Sequence, residues 1–508
     1  MMKKILIILF TVALVVSCTD LEIAPNSQLT EQSSFKTKGE FLNGLAGVYT
    51  TIGYWSEVVF KAGGSTDEMI FPARGADWKG DLQPMFAHTW TPANGEIAGL
   101  YSGMSKIIAV SNNYIDVIDG STTFNSDTDI VVMRGEARFL RAFGYFLMLD
   151  HFGNVPLVTT SVYDPKILPT QAARADIYNF IKTELTDLAN NVLPATNQYG
   201  RVDKYAAKAL LAKLYLNSGV YLGQANAALP DVVTLTTDII NNSPYSLDPV
   251  FKHVFAWNND VDNKENIFTM VCDSKNTAAE NISYLFSITN LKDKFGSFAD
   301  GWGGAATLPT FYRSFAANDI RRNIWLAGPQ FAANGTTPII AKDDQGADRQ
   351  LNYVIDFKST NPVNNADHWD GVRGGKYLMD GIGGNMVARS LNNDMPILRF
   401  ADVLMMRAEA LYRQNAGSAE ALTLVNRVRN RGGNPVPALT SLTDANFLAE
   451  RGREFAWEGW RRNDLIRFGK YNDAWDYKTA SGAFHNLFPI PQPQIQSNPN
   501  LVQNPGYN

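Results

Sequence analysis

The chain has 508 residues, of which 45% are hydrophobic and 19% are charged, so a packed globular core is feasible. The formal net charge is −5. There is no basic excess that could neutralise phosphates, so a nucleic-acid-binding protein is not expected. Aromatic residues make up 11% of the chain, and their flat faces suit both a core and the rings of sugars.

The N-terminus has the layout of a secretory signal. Two lysines at positions 3 and 4 precede an apolar stretch over residues 5–16, which is too short to span a bilayer as a helix. The stretch leads into VVSC, which resembles the lipobox of bacterial lipoproteins, where cleavage leaves the cysteine N-terminal and acylated. This predicts a signal peptide over 1–17 and a lipidated Cys18. The alternative is an ordinary signal peptide with an incidental cysteine.

A polar tether is predicted over residues 18–35. It is rich in Ser, Thr, Gln and Asn, and Asp20 and Glu22 lie close behind the cysteine. Acyl chains hold a protein on a membrane through about 0.8 kcal/mol for each buried methylene, and stable attachment takes more than one chain. No later segment has the roughly 18 uncharged apolar residues of a transmembrane helix. We therefore expect membrane attachment through the lipid anchor only.

Several segments have the three-to-four-residue spacing of apolar side chains that is typical of amphipathic helices. They cover residues 129–152, 176–193, 204–222, 399–414, 418–431 and 444–468. Two Ala-rich helices, around 207–215 and 404–412, resemble tetratricopeptide helices, although no clean repeat of about 34 residues is visible. The pattern predicts a mostly α-helical scaffold over about 36–229 and 396–508.

The stretch between these two parts, about 230–395, has a different composition. It is rich in Gly, Asn, Asp and aromatic residues, and short runs such as 352–357 predict strands. We therefore expect a loop-and-short-strand insertion in the helical scaffold. Loops on a rigid scaffold commonly carry function, so this insertion is expected to contribute to ligand binding.

Four stretches of sequence resemble a known family in both order and spacing. They are 135–143 with 151–158, 399–410 with 424–431, 450–467, and 487–491 with 498–507. Among them are GEARFLRAF at 135–143 and ERGREFAWEGWRRNDLIR at 450–467. Together they resemble the SusD/RagB family of nutrient-binding outer-membrane lipoproteins, of the Bacteroidetes type, and they imply one family domain over 36–508.

The resemblance implies a fold and a role. The fold would be mostly α, a tetratricopeptide-like, SusD-like α-α superhelix that carries the insertion. The role would be that of a lipid-anchored outer-membrane protein facing the cell exterior, which captures oligosaccharides and delivers them to a SusC-like, TonB-dependent β-barrel transporter. Helical repeats commonly form concave protein-binding surfaces, and here they resemble the docking face for this transporter. A plant polysaccharide, a host glycan, a fructan and a peptide all stay open as ligands.

Charged residues in these motifs are spaced for pairing on helix faces. The predicted pairs are Glu409–Arg413, Glu450–Arg453 and Glu458–Arg462. For the Arg-rich run 451–467, a solvated or ion-paired helix face is favoured over phosphate binding, because acidic residues alternate with the arginines. No site residues are therefore predicted there.

The sequence contains no recognisable catalytic constellation. Its five histidines are scattered without metal-ligand spacing, and no G-x-S-x-G elbow or P-loop occurs. No catalytic residue, metal or cofactor is therefore expected, and the protein is predicted not to be an enzyme. The alternatives are a surface glycoside hydrolase, which needs only two carboxylates, and a binder of peptides.

The first candidate binding site is the polar loop 65–79, which ends in a tryptophan beside charged residues. A sugar site needs this mixture of a flat face for the C–H side of a ring and charged groups for the hydroxyls. Members of the family place ligand-contacting residues in the corresponding loop, so the resemblance implies Asp67, Arg74, Asp77 and Trp78. The alternative for Trp78 is that its ring covers the protein's own core.

Two further candidates lie in the insertion. In FGSFADGW (295–302) the glycines allow the backbone to expose Trp302, and Phe298 is predicted with it. The resemblance agrees, because aromatic ligand contacts of the family also come from this insertion. Trp369 and Arg373 form the third candidate.

Overall fold

The structure, a computed structural model, describes residues 35–507 apart from 76, 125, 163, 165, 262, 274–288, 297–299 and 379–390. The predicted signal peptide, the tether up to residue 34 with Cys18, and Phe298 lie outside the described residues. In the described ranges, no helix is long and apolar enough to cross a membrane.

The longer helices form the scaffold. They are α1 (Lys38–Thr50), α2 (Gly95–Asp119), α3 (Thr128–Phe152), α4 (Arg174–Asp187), α5 (Lys204–Leu216), α6 (Leu229–Asn242), α7 (Phe400–Gln414), α8 (Ala419–Arg429) and α9 (Asp444–Glu454). From α2 to α9 each helix packs against the next, and α1 lies on α2 and α3. The array continues from α6 to α7 although the insertion separates them in sequence. This confirms the predicted mostly α, tetratricopeptide-like architecture.

Short helical turns connect these helices. They are Thr51–Tyr54, Trp55–Glu57, Val58–Ala62, Leu82–Ala87, Leu188–Val192, Ser218–Leu222, Phe251–Phe255, Leu291–Phe295, Pro309–Arg313, Ile320–Ile324, Lys376–Leu378, Arg431–Gly433, Arg461–Arg467, Ala483–Asn486 and Gln492–Ser497. The strands are β1 (Val155–Pro156), β2 (Gln171–Ala172), β3 (Asn266–Met270), β4 (Trp325–Leu326), β5 (Gly328–Pro329), β6 (Ile340–Lys342), β7 (Asp348–Gln350), β8 (Asn352–Tyr353), β9 (Arg373–Gly374) and β10 (Met395–Arg399). They pair antiparallel as β1–β2, β3–β10, β4–β9, β5–β8 and β6–β7.

The β3–β10 ladder fixes the insertion to the scaffold. Met395 lies opposite Met270 and Arg399 opposite Asn266, and every residue of both strands is buried. Strand β10 continues directly into α7. The C-terminal end of the insertion therefore pairs with a strand from its first part inside the core, next to the first helix that follows the insertion.

The helix boundaries differ from the predictions in two places. Helix α6 lies beyond the predicted scaffold limit of about 229 and packs between α5 and α7, so the scaffold continues to Asn242. The predicted helix 444–468 is wrong as one element, because it consists of α9 and the short helix Arg461–Arg467. Between them Trp457 has φ 56° and Gly459 has φ 85°, which no right-handed helix allows.

Helix α2, which the apolar spacing did not predict, is built around glycines. A Cβ built on Gly103 would lie 1.8 Å from the Tyr54 ring, and one on Gly99 would lie 2.8 Å from Lys61 Nζ. A glycine inside a helix costs about 1 kcal/mol relative to alanine. The glycines weaken the local helical signal, and their use becomes visible only when Tyr54 and Lys61 lie against this face.

The Arg-rich run is ion-paired as predicted, but it is buried rather than solvated. Arg399 lies 2.7 Å from Glu265 and 2.8 Å from both Glu454 and Glu458, and all four side chains are at most 2% exposed. A buried charge is tolerated only when it is paired and hydrogen-bonded. Within the run itself, Arg451 lies 2.8 Å from Asp464 and 3.1 Å from Asp402, and it is buried. Arg399, which pairs with two acidic residues of the run, and Arg451 are therefore part of the core.

Two of the three predicted helix pairs form. Glu409 lies 2.8 Å from Arg413, and Glu450 lies 2.6 Å from Arg453. The prediction of a Glu458–Arg462 pair is wrong, because residue 458 lies in the break between the two helices. Its carboxylate contacts Arg399 and Lys376 instead.

Candidate functional site

Trp78 and Trp302, predicted from two distant segments, lie side by side in the structure. Their ring centroids are 6.4 Å apart and the ring planes are inclined by 49°. Trp302 is 41% exposed, and Trp78 is half-buried. Together the two indoles present an angled aromatic surface at the mouth of a cleft.

This cleft, here called the tryptophan cleft, has a volume of about 840 Å³. It is lined by Gly53, Tyr54, Ser56, Glu57, Phe60, Lys61, Trp78, Lys79, Asp81, Leu82, Glu96 and Trp302. Pockets for small ligands usually measure roughly 300–1,000 Å³, so the cleft has the size of a ligand site. Its walls combine aromatic faces with charged groups of both signs.

Trp78 is held by packing on its inner side. Its ring lies 6.0 Å from that of Phe60 and 5.8 Å from that of Phe71. Its backbone is left-handed, with φ 60°, which is uncommon for a bulky residue. Trp78 therefore both covers the core and lines the cleft, so the two alternatives considered for it are not exclusive.

Arg74 ties the two tryptophan-bearing segments together. Its Nη1 donates hydrogen bonds of 2.8 Å to the carbonyl oxygens of Gly303 and Gly304, and its Nη2 donates one of 3.0 Å to the carbonyl of Asp370. The residue is 5% exposed. In the structure this guanidinium braces the loop behind Trp302, and its contact with a ligand stays a prediction.

The third predicted pair also has a packing role. Arg373 is 2% exposed, donates hydrogen bonds to the carbonyls of Asp370 and Gly371 at 2.6 and 2.5 Å, and lies 4.8 Å from the centre of the Tyr353 ring. Trp369 packs against the small hydrophobic cluster that contains Tyr353. Neither is among the described residues that line the tryptophan cleft, so the third candidate lies apart from that cleft and stays a prediction.

The first residues of the predicted loop 65–79 are hydrogen-bonded to the C-terminal part of the chain. Both carboxylate oxygens of Asp67 accept hydrogen bonds of 2.7 Å from Arg461. The neighbouring Glu68 is buried, and its Oε2 accepts a hydrogen bond of 3.2 Å from the Trp457 amide. Burial raises the pKa of Glu68 to about 8. Asp67 thus anchors the loop, whereas Asp77 is exposed at its tip and stays a predicted ligand contact.

The cleft also contains charged residues that were not predicted. Lys61 Nζ lies 3.2 Å from Glu57 and 2.9 Å from Glu96. Burial opposes the charged form of Lys61, but the two carboxylates outweigh it and raise the pKa of the lysine. The hydroxyl of Tyr54 donates to the carbonyl of Gly99. The four-residue spacing of the α2 glycines is the signal that could have indicated this packed polar wall.

The chemistry of the cleft suits a ligand with apolar ring faces and polar edges. Two tilted indoles can contact C–H faces, and lysine and carboxylate groups can hydrogen-bond to hydroxyls. Among the described residues, no group of three or more His, Cys, Asp or Glu side chains is arranged to hold a metal ion.

Comparison with known proteins identifies the family. The model described as "SusD family" matches residues 257–507, and a second, described as "Starch-binding associating with outer membrane", matches residues 22–216. The two matches cover most of the chain without overlap. The chain belongs to the SusD family.

Curated relatives of this SusD-family protein match over nearly their whole length. The starch-binding protein SusD of Bacteroides thetaiotaomicron is 28% identical over 464 residues, which cover 84% of this chain and 81% of the relative. The SusD-like protein P2 of Formosa agariphila is 26% identical over 542 residues, which cover all of both chains.

Solved structures show the same fold. The surface glycan-binding protein A of Bacteroides thetaiotaomicron in complex with laminarihexaose has a TM-score of 0.70 to this SusD-family protein at 20% identity, covering 92% of this chain and 100% of that one. A SusD superfamily protein of Parabacteroides distasonis has a TM-score of 0.75 at 18% identity, covering 93% and 100%.

Proposed function

We propose that this protein binds glycan oligosaccharides in the tryptophan cleft, at the cell surface, and passes them to a TonB-dependent outer-membrane transporter. The observation that carries the proposal is the pairing of Trp78 and Trp302, with centroids 6.4 Å apart and the second ring exposed. Family membership supports it, because one curated relative is named for starch binding and one structural neighbour was solved with laminarihexaose.

Capture without cleavage is the activity that the cleft supports best. The acidic residues of its lining are engaged: Glu57 and Glu96 share the ammonium of Lys61, and Asp81 accepts a hydrogen bond of 2.6 Å from the backbone amide of Gly95. The names of the relatives also describe binding rather than catalysis. A surface glycoside hydrolase is the competing hypothesis, and product analysis tests it directly.

The cellular setting rests on the N-terminal sequence and the family. The lipobox ending in Cys18 predicts an acyl anchor, and one of the matching family models is described as associating with the outer membrane. The transporter partner is implied by the family resemblance. The helical array α2–α9 offers the kind of extended surface on which such a partner can dock.

Calorimetric titration of the mature soluble form tests the ligand and the site together. Suitable probes are starch, laminarin and laminarihexaose, with an unrelated peptide to test the peptide hypothesis. Trp302→Ala and Trp78→Ala should each weaken glycan binding at least several-fold, because aromatic stacking contributes about 0.5–1.5 kcal/mol beyond area burial. Trp369→Ala tests the third candidate separately, and unchanged affinity there would confine the ligand to the tryptophan cleft.

Two results would contradict the proposal. Unchanged affinity in both cleft variants would place the ligand on another surface. Time-dependent release of shorter oligosaccharides, abolished by Glu57→Gln or Glu96→Gln, would make the protein a hydrolase.

A further inference from the structure

A second pocket, here called the lysine pocket, lies where the helical scaffold meets the insertion. Its volume is about 340 Å³. It is lined by Pro249, Val250, Phe251, Lys252, Lys294, Phe295, Ile320, Asn323, Leu326, Gly375 and Gly432. Ligand sites favour such junctions between structural units, and this volume is at the lower end of the usual range of roughly 300–1,000 Å³.

The charged side chains described in the lining of the lysine pocket are all positive. The described residues that line it include Lys252 and Lys294 and no acidic side chain. The whole chain has a net charge of −5, so this local positive charge runs against the overall balance. A concave site of one sign attracts ligands of the opposite charge.

Lys294 is the half-buried cation of this pocket. Burial lowers the pKa of its side chain. Its ammonium donates a long hydrogen bond, 3.3 Å, to the carbonyl of Phe331, and no carboxylate among the described residues pairs with it. A desolvated cation is costly unless it is paired.

Two other partly or fully buried lysines, Lys61 and Lys213, meet this cost with carboxylates, whereas the buried Lys478 donates to backbone carbonyls and lies over the Trp475 ring. Lys61 contacts two carboxylates, and Lys213 lies 2.6 Å from Asp402. The ammonium of Lys294 lies 5.8 Å from the centre of the Phe295 ring, but it has no carboxylate partner in the described part of the chain, and the residue lines the pocket. An anionic ligand would supply the missing charge.

The remaining walls suit a sugar ring next to that anion. Phe295 is half-buried and offers an aromatic face beside Lys294. Asn323 is exposed, and its amide makes no hydrogen bond to a described residue, so it is available for hydroxyls. Aromatic face, amide and cation together form a site for a monosaccharide that carries an acidic group.

We infer that the lysine pocket binds the acidic group of a glycan, a uronic acid carboxylate or a sulfate ester, through Lys294, with Lys252 in the same lining. The inference rests on the proposed glycan-binding function and narrows the ligand to chains with anionic substituents. The two sources share one chemistry, an oxyanion on a sugar ring, which an ammonium group recognises.

Matched pairs of probes test the inference. One pair is a tetrasaccharide of galacturonic acid and the neutral tetrasaccharide made from it by carboxyl reduction. The other is sulfated and unmodified laminarihexaose. The wild-type protein should bind one acidic member about tenfold or more tightly than its neutral partner, as expected for added charge-assisted hydrogen bonds. The preference should shrink with rising salt.

Variants locate the effect. Lys294→Met should remove most of the preference for the acidic probe, and Lys252→Met should reduce it. Lys292→Met is the matched control, because Lys292 is exposed on the same short helix and is not part of the lining. Melting temperatures should stay close to that of the wild type, since methionine keeps the length and the apolar stem of the side chain.

The outcomes separate this inference from the proposed function. A preference for only one acidic probe identifies the source of the anion and supports the inference. Equal affinity within both pairs, no binding of either acidic probe, or an equal loss in Lys292→Met and Lys294→Met would overturn it. Loss of neutral glucan binding in Trp302→Ala, with that binding intact in Lys294→Met, would uphold the proposed function even then.

Discussion

Gly304 lies against the indole of Trp78 so closely that a Cβ built on Gly304 would be 2.4 Å from Cζ2 of the ring. The adjacent Gly303 and Gly304 carbonyls also accept the hydrogen bonds of Arg74. The segment that carries Trp302 therefore shapes the position of Trp78 through both a close contact and a brace. The positions of the two aromatic rings of the tryptophan cleft therefore depend on each other.

Gly304→Ala should displace the Trp78 ring and weaken glycan binding several-fold, because real Cβ atoms do not approach other atoms to 2.4 Å. Calorimetry with a glycan that the wild type binds checks this. Gly47→Ala is the control: a Cβ there meets nothing within 4 Å, and alanine favours a helix by about 1 kcal/mol relative to glycine. If Gly304→Ala and Gly47→Ala bound the glycan with equal affinity, the packing around the Trp78 ring would tolerate a methyl group.

Glu68 should make the stability of the folded protein depend on pH. Its pKa in the folded protein, about 8, lies above the ordinary value of 4.5, chiefly because of burial. The folded state thus holds a proton that the unfolded chain releases, so stability should fall as the pH rises from about 4.5 to 8. Glu68→Gln keeps a neutral side chain at every pH. Its melting temperature should therefore exceed that of the wild type by an amount that grows from about pH 4.5 to 8. Parallel melting curves for variant and wild type between pH 5 and 9 would contradict the assignment.

Arg399→Met should destabilise the fold strongly. It would leave Glu265, Glu454 and Glu458 buried without their shared guanidinium, and breaking a buried ion pair from one side costs about 3–5 kcal/mol. Arg313→Met is the comparison, because its pair with Asp356 is 50% and 65% exposed and such pairs contribute about 1 kcal/mol or less. Denaturant unfolding measures both, and similar losses would argue against a structural role for the buried network.

Cys18→Ala should release the protein from the membrane, because stable attachment is predicted to depend on acyl chains carried by this cysteine. Fractionation of cells that express the variant, with immunodetection of the protein, checks the prediction. A variant that stays with the membranes after a high-salt wash would require another mode of attachment.

The sequence by itself determined the family and several helices of the scaffold, but not α1, α2 or α6. Amphipathic spacing placed α3 and α7 within one residue of their observed limits, because the apolar face of a helix is a property of neighbouring residues. The motifs at 135–143 and 450–467 indicated the family in the same local way. Aromatic residues beside glycines also indicated Trp302 as an exposed ring, which it is.

Only the tertiary structure decided which of the predicted site residues share a surface. Trp78 and Trp302 lie side by side, and Arg74 links their two segments by donating hydrogen bonds to the Gly303 and Gly304 carbonyls. Glu458 pairs with Arg399 rather than with the nearby Arg462, because helix α9 ends before residue 458. Such partners depend on contacts between segments far apart in sequence, and local spacing carries no information about them.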